Sequence, residues 1–225
     1  RAATGTDMGH PVEILTPLHK RTQRDYVARM LDDKVVCMKK AREFEFDYWD
    51  GARRHGYGGY HYQPGRWEPV ARALIERYDL KPGDSVLDIG CGKGYLLYEM
   101  QKLMPLELHG IERSAYAIQK RHPDLKAEIL HGKIEGIVFT STYDLIVSIG
   151  ALHNLTLRDL HIALPVISKG AKNAYIMVES FRNEDEWFNL CAWCLTAETI
   201  MRPQDWCFLY EQCGYKGDYE FIYFC

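Results

Sequence analysis

The sequence predicts an α/β fold with a mainly parallel sheet, and three observations point to it. Short apolar runs alternate with amphipathic stretches from residue 66 onward. One of these runs, Ser85 to Ile89, leads directly into glycines at alternate positions, Gly90, Gly92 and Gly94, before a helical pattern begins at Tyr95. Hydrophobic residues make up 47% of the 225, which supplies one good-sized core and argues against a second full domain. Strands that alternate with helices imply a sheet covered on both faces.

The elements follow in order. Residues 1–20 read as a disordered or expression-derived leader, since Arg1 to His10 lacks periodicity; Met8 is a candidate native start. Residues 21–65 form a helical N-terminal extension and lid. Gln23 to Glu43 has helical spacing, with a bend expected near Asp32 and Asp33. Phe44 to Asp50 is aromatic and acidic, and Gly51 is a plausible stop. Arg53 to Gly65 is a loop dense in tyrosine, histidine and glycine.

The main domain spans residues 66–225. Trp67 to Tyr78 is amphipathic, with Val70, Leu74 and Ile75 on one face and Pro69 tolerated in the first turn. Lys81 to Asp84 is turn chemistry ahead of the first strand. Leu106 to Ile111 reads as the second strand, a third precedes Gly132, and Tyr143 to Ile149 is the fourth. Ser114 and Thr156 are placed to cap the helices that follow them, and Pro165 is expected to bend or split the second of these. Ala174 to Val178 is the fifth strand, Gln204 to Cys213 a helix closed by Gly214, and Tyr219 to Phe224 a terminal strand.

The glycine loop discriminates among ligands. A dinucleotide site needs a glycine at the sixth loop position, where Tyr95 stands, and no Gly-Lys-Ser/Thr follows for a phosphate cradle. Asp88, just below the loop, would repel a pyrophosphate and attract an ammonium or sulfonium group. A cationic, nucleotide-like ligand without phosphates fits these residues.

Asp-Ile-Gly-Cys-Gly-Lys-Gly (88–94) resembles motif I of the class I S-adenosylmethionine-dependent methyltransferases. The similarity covers about residues 66–179. Glu112 stands where the family carries the acid for the ribose hydroxyls. Gly132-Lys133 replaces the usual Gly-Asp at the adenine, which leaves the Lys133 backbone and Ile134 to hold the base. Gly-Ala-Leu-His-Asn-Leu (150–155) is similar to the variant of small-molecule members and unlike that of base-methylating enzymes. The resemblance implies a Rossmann-like sheet of seven strands or slightly fewer, in which a late strand can be antiparallel. It also implies S-adenosylmethionine as cofactor, S-adenosylhomocysteine as product, and methyl transfer to an oxygen or nitrogen of a small polar acceptor, a metabolite or saccharide. The rivals are a nucleotide-dependent oxidoreductase and a non-catalytic regulatory module.

On this basis the cofactor residues are Asp88, Ile89, Gly90, Cys91 and Gly92, then Glu112 and Arg113, then Lys133, Ile134 and Ser148. His153 and Glu179 are the catalytic candidates, because both follow strand ends, where ligands sit in open α/β sheets. An imidazole suits proton removal from an acceptor, though a histidine packed beneath the cofactor is the plainer alternative. Tyr57, Tyr60 and His61 in the lid, with Asn154, are the acceptor candidates. Arg53, Arg54, His55 and His61 suit a carboxylate or phosphate on the acceptor.

Cys191 and Cys194 lack a second pair at zinc spacing and read as packed thiols; no metal is expected. A net charge of −3 argues against nucleic acid as a partner. Seven cysteines scattered through apolar segments, and no long apolar run, suggest a cytoplasmic protein without a membrane anchor. An oligomer is possible but has no signature in these residues.

Overall fold

The apolar runs become β1 (Ser85–Ile89), β2 (Glu107–Glu112), β3 (Glu128–His131), β4 (Tyr143–Ile149), β5 (Ala171–Glu179) and β6 (Asp218–Ile222). The computed structural model describes residues 9–139 and 141–225. The strands pair in the order β3-β2-β1-β4-β5-β6, and every pairing is parallel. The order reverses between β1 and β4, which opens a crevice at their carboxyl ends.

Alternation along each strand divides the core in two. Val86, Leu145, Val147, Tyr175 and Met177 pack with Val70, Ala71 and Leu74 of α5 (Glu68–Arg77) and with Leu97 and Met100 of α6 (Tyr95–Leu103). Leu87, Ile89, Ile146, Ile176 and Val178 meet Leu160, Ala163, Leu164 and Ile167 of α8 (Leu157–Gly170), and Trp206 and Tyr210 of α10 (Pro203–Gln212). The remaining helices are α1 (Thr16–His19), α2 (Tyr26–Leu31), α3 (Lys34–Ala41), α4 (Phe46–Trp49), α7 (Ala115–Gln119) and α9 (Glu184–Trp193).

The structure departs from the sequence expectations in three places. The sheet has six strands among the described residues, within the expected seven or slightly fewer, and its last strand is parallel where an antiparallel one was an open option. α10 carries the chain back across the sheet, so β6 runs in the same direction as β5. Pro165 does not split α8, which is continuous through it. A proline removes only one amide donor, and the packed face of the helix holds its neighbours in place.

The third departure is at the N-terminus. Residues 11–20, expected as leader, dock on the edge of the sheet, while residues 1–8 lie outside the described residues. Pro11 bridges Tyr219, and the Val12 amide donates to the Tyr219 carbonyl at 2.9 Å. The buried Glu220 carboxylate accepts the amides of Ile14, Leu15 and Thr16 at 2.7, 2.9 and 2.6 Å, and the Tyr175 hydroxyl at 2.6 Å. The segment is anchored through its backbone on a carboxylate about two hundred residues away, so its side chains needed no periodicity.

The expected helix break falls where Asp33 adopts a positive φ of 44° between α2 and α3. α4 and the loop after it then fold back over the carboxyl end of β1.

Candidate active site

β1 ends on Asp88 and Ile89, and the chain must turn at once to start α6. Gly90 does this at φ 79°, where a Cβ would lie 2.4 Å from the Ala151 Cβ. Gly92, at φ 55°, lets the ring of Trp49 approach; a Cβ there would be 2.9 Å from Trp49 Cη2. Both positions need glycine, for conformation and for space.

A cleft open to solvent lies above this loop. Ile89, Gly90, Glu112 and Arg113 form one side, and Lys133 and Ile134 another. Gly150, Ala151 and Asn154 close the β4 end, and Phe44, Tyr48, Trp49 and Tyr57 roof it.

Glu112 is buried, with one oxygen accepting the Gly92 amide and the other the Ser114 amide, each at 2.8 Å. Each oxygen keeps a second lone pair for a ligand hydroxyl. Burial pushes the Glu112 carboxyl up, against the pull of those amides. Asp88 is buried below the loop, and burial, reinforced by the nearby Glu112, pushes its carboxyl up to about 7. Two desolvated carboxylates, Glu112 in the lining and Asp88 buried beneath it, favour a cation nearby.

The roof is latched down. Trp49 Nε1 donates to the Phe44 carbonyl at 2.9 Å and to Ser114 Oγ at 3.1 Å. The buried Lys93 ammonium lies 2.7 Å from both Asp50 oxygens and 2.8 Å from the Tyr60 carbonyl. Tyr116 OH donates to Asp50 at 2.8 Å. Burial raises the Asp50 carboxyl, but these donors outweigh it and hold it below the usual range.

Of the residues singled out by sequence, Ile89, Gly90, Glu112, Arg113, Lys133, Ile134, Tyr57 and Asn154 line the cleft. Cys91 is buried; a Cβ on Gly110 would lie 2.6 Å from its sulfur, so the thiol faces away from the cleft. Ser148 is fully buried with its hydroxyl donating to the Ile89 carbonyl at 3.0 Å, so it braces β4 against β1 and lies outside the cleft lining. Tyr60 stacks on Tyr95 with centroids 5.0 Å apart and is a strut of the roof. His61 is exposed outside the cleft lining. Arg54 pairs with Asp32 at 2.8 Å, and His55 is buried 3.4 Å from Asp47. Trp49, Asp50 and Lys93 were not singled out for this cleft; the aromatic, acidic composition of 44–50 was the trace of the first two, and the glycine loop carried the third.

His153 and Glu179 do come together. The Glu179 amide donates to His153 Nδ1 at 3.4 Å, and His153 Nε2 lies 3.6 Å from Glu179 Oε2. The second distance is too long for a hydrogen bond, and Oε2 is buried with no hydrogen-bond partner. Cys194 joins them, the three candidate ligand atoms lying within 4.8 Å of one another. Burial, with Glu179 adding to it, pushes the Cys194 thiol up to about 12. Because Nδ1 accepts an amide proton, the neutral imidazole carries its own proton on Nε2, facing Glu179. A metal at Nε2 would require the opposite tautomer, with Nδ1 donating. The trio therefore suits proton handling better than metal binding.

Among the described residues no helix is long and apolar enough to cross a membrane. The family described as methyltransferase domain matches residues 80–218. The chain is similar to a chain from a complex between a methyltransferase activator and a methyltransferase of Haloferax volcanii, at 20% identity over 65% of this chain and 67% of that one, with a TM-score of 0.53. It is also similar to an S-adenosylmethionine-dependent methyltransferase of Methanococcus maripaludis, at 22% identity over 50% and 55% with a TM-score of 0.45. An amino pentose methyltransferase of Micromonospora echinaspora is 20% identical over 48% and 47%, with a TM-score of 0.42. The chain spans about half the length of the last two. No curated protein matches. Neither the oxidoreductase nor the regulatory alternative gains support from these matches.

Proposed function

This chain belongs to the methyltransferase-domain family, the match covering residues 80–218, and we propose that it transfers the methyl group of S-adenosylmethionine to an oxygen or nitrogen of a small polar acceptor. The observation that carries this is the pairing of a glycine-turned cleft, which has Glu112 in its lining and Asp88 buried beneath it, with a buried imidazole–carboxylate pair at the ends of the next two strands. The all-thiol state of the seven cysteines supports a cytoplasmic setting.

When bound, S-adenosylmethionine supplies a methyl group already activated by its positive sulfur. Glu112 would offer its spare lone pairs to the ribose hydroxyls, and Asp88, buried beneath the loop, would supply negative charge toward the ammonium group. Ile134 and the Lys133 backbone would hold the adenine. The aromatic roof excludes water and restrains the acceptor, and such positioning can be worth roughly 7–11 kcal/mol. Glu179 is the proton acceptor for the attacking hydroxyl or amine, since its carboxylate is the more exposed member of the pair. His153 positions residue 179: its Nδ1 accepts the Glu179 amide, and its Nε2 faces the carboxylate at 3.6 Å.

Incubation with S-adenosylmethionine and a cell metabolite extract, followed by mass spectrometry, tests the reading. A product heavier by one methylene is expected; S-adenosylhomocysteine binding with no methylated product in any extract would sink it.

A pH dependence follows from Asp88. Below about pH 7 the free protein holds this carboxyl protonated, whereas a bound ammonium favours its ionised form. Affinity for S-adenosylhomocysteine should therefore rise with pH between about 5.5 and 7, by at most about tenfold per unit, and level off above. Calorimetry across that range checks this, and Asp88→Asn should give a flat, weaker profile.

A further inference from the structure

Three arginines converge on one ring, that of Trp193, at the residue before Cys194. The guanidinium carbons of Arg53, Arg29 and Arg24 lie 4.9, 5.2 and 5.5 Å from the Trp193 centroid. None of the three forms an ion pair with a carboxylate among the described residues. Their hydrogen-bond partners are neutral: Arg24 reaches the Thr22 carbonyl and His19, Arg29 the Arg53 carbonyl, and Arg53 the Gly56 carbonyl. Arg24 Nε is buried with no partner at all.

The carboxyl end of α9 explains only part of this gathering. Lys34 donates to the carbonyls of Ala192 and Cys194 at 2.7 Å, and Arg29 Nε reaches the Trp193 carbonyl at 3.5 Å, as expected for cations at a helix C-terminus. Arg24 and Arg53 bond to no carbonyl of that helix. Like charges held this close and partly desolvated repel one another, and ring faces offset that only modestly. An anion placed among them would relieve it.

The cluster adjoins the site. Trp193 precedes Cys194, whose sulfur lies within 4.8 Å of the ligand atoms of His153 and Glu179, and Arg53 donates to the carbonyl of Gly56, next to Tyr57 of the cleft roof. We propose that the methyl acceptor is an anionic small molecule whose carboxylate or phosphate docks on Arg24, Arg29 and Arg53 around Trp193. This inference rests on the methyl-transfer reading and names the acceptor class for it.

Inorganic phosphate and malonate serve as probes. Each is titrated calorimetrically into protein saturated with S-adenosylhomocysteine. One saturable site is expected, with the tighter anion identifying a phosphorylated or a carboxylated acceptor. Arg53→Gln should weaken that binding about tenfold, the loss expected for a charge-assisted contact, and leave S-adenosylhomocysteine affinity unchanged. Arg24→Gln gives the same readout where Arg53→Gln fails to fold. Wild-type protein that takes up neither anion, or variants that bind them as wild type does, would overturn the proposal while leaving methyl transfer standing. Failure to bind S-adenosylhomocysteine counts against the methyl-transfer reading instead.

Discussion

Gly90→Ala lowers the affinity for S-adenosylhomocysteine by at least about a hundredfold, a loss near 2.7 kcal/mol, whereas Gly83→Ala leaves that affinity unchanged. Both glycines have positive φ, 79° and 92°, so both variants should lose roughly 1–2 kcal/mol of stability to backbone strain. Only Gly90 also meets an obstacle. Its new Cβ would sit 2.4 Å from the Ala151 Cβ, while Gly83 has nothing within 4 Å. Ala151 has no side-chain torsion to rotate away, so the backbone between β1 and β4 must separate. Both residues line the cleft at the point where strand order reverses, so the separation deforms the floor on which the cofactor lies. Urea denaturation and calorimetry on the two variants measure the two effects independently. A Gly90→Ala protein that binds within about threefold of wild type would show that the cofactor lies elsewhere.

What could be read in the sequence was local. The turn at Gly90 and Gly92 needs only the residues beside it, so the loop, its strand and its helix were legible together. Glu112 was legible for a related reason: it ends a strand at the spacing where ribose carboxylates fall. The bend at Asp32–Asp33 and the caps at Ser114 and Thr156 also depend on immediate neighbours.

Contacts across long sequence separations were not legible. Nothing in Val12 to Thr16 announces that its amides end on Glu220. The Asp50–Lys93 pair joins the extension to the cofactor loop across forty-three residues, a separation no local pattern spans. Ser148 misled because a small hydroxyl at a strand end resembles a ligand contact, yet it satisfies the neighbouring strand. Arg24 and Trp193 meet only because α2 lies against α9. In each case a polar group chose a partner that periodicity does not encode.

Glu179→Gln reduces kcat by about a hundredfold or more, within the 10²–10⁴ range of general base removal, and leaves S-adenosylhomocysteine affinity within about twofold. The glutamine keeps the volume and one carbonyl acceptor while losing the capacity to take a proton. Glu179 is 20% exposed on its side chain, against 4% for His153, so the carboxylate is the member of the pair with access to an acceptor. His153 is the positioning residue. Its Nδ1 accepts the Glu179 amide and its Nε2 faces the Glu179 carboxylate, so both nitrogens are directed at residue 179. His153→Asn alone should therefore reduce kcat by a smaller factor, about tenfold. Added to Glu179→Gln it should cost nothing further, because both act through one proton transfer and their effects do not add. The order is diagnostic. A His153 variant slower than Glu179→Gln, or two losses that multiply in the double variant, would assign the proton to the imidazole and leave the carboxylate as its support.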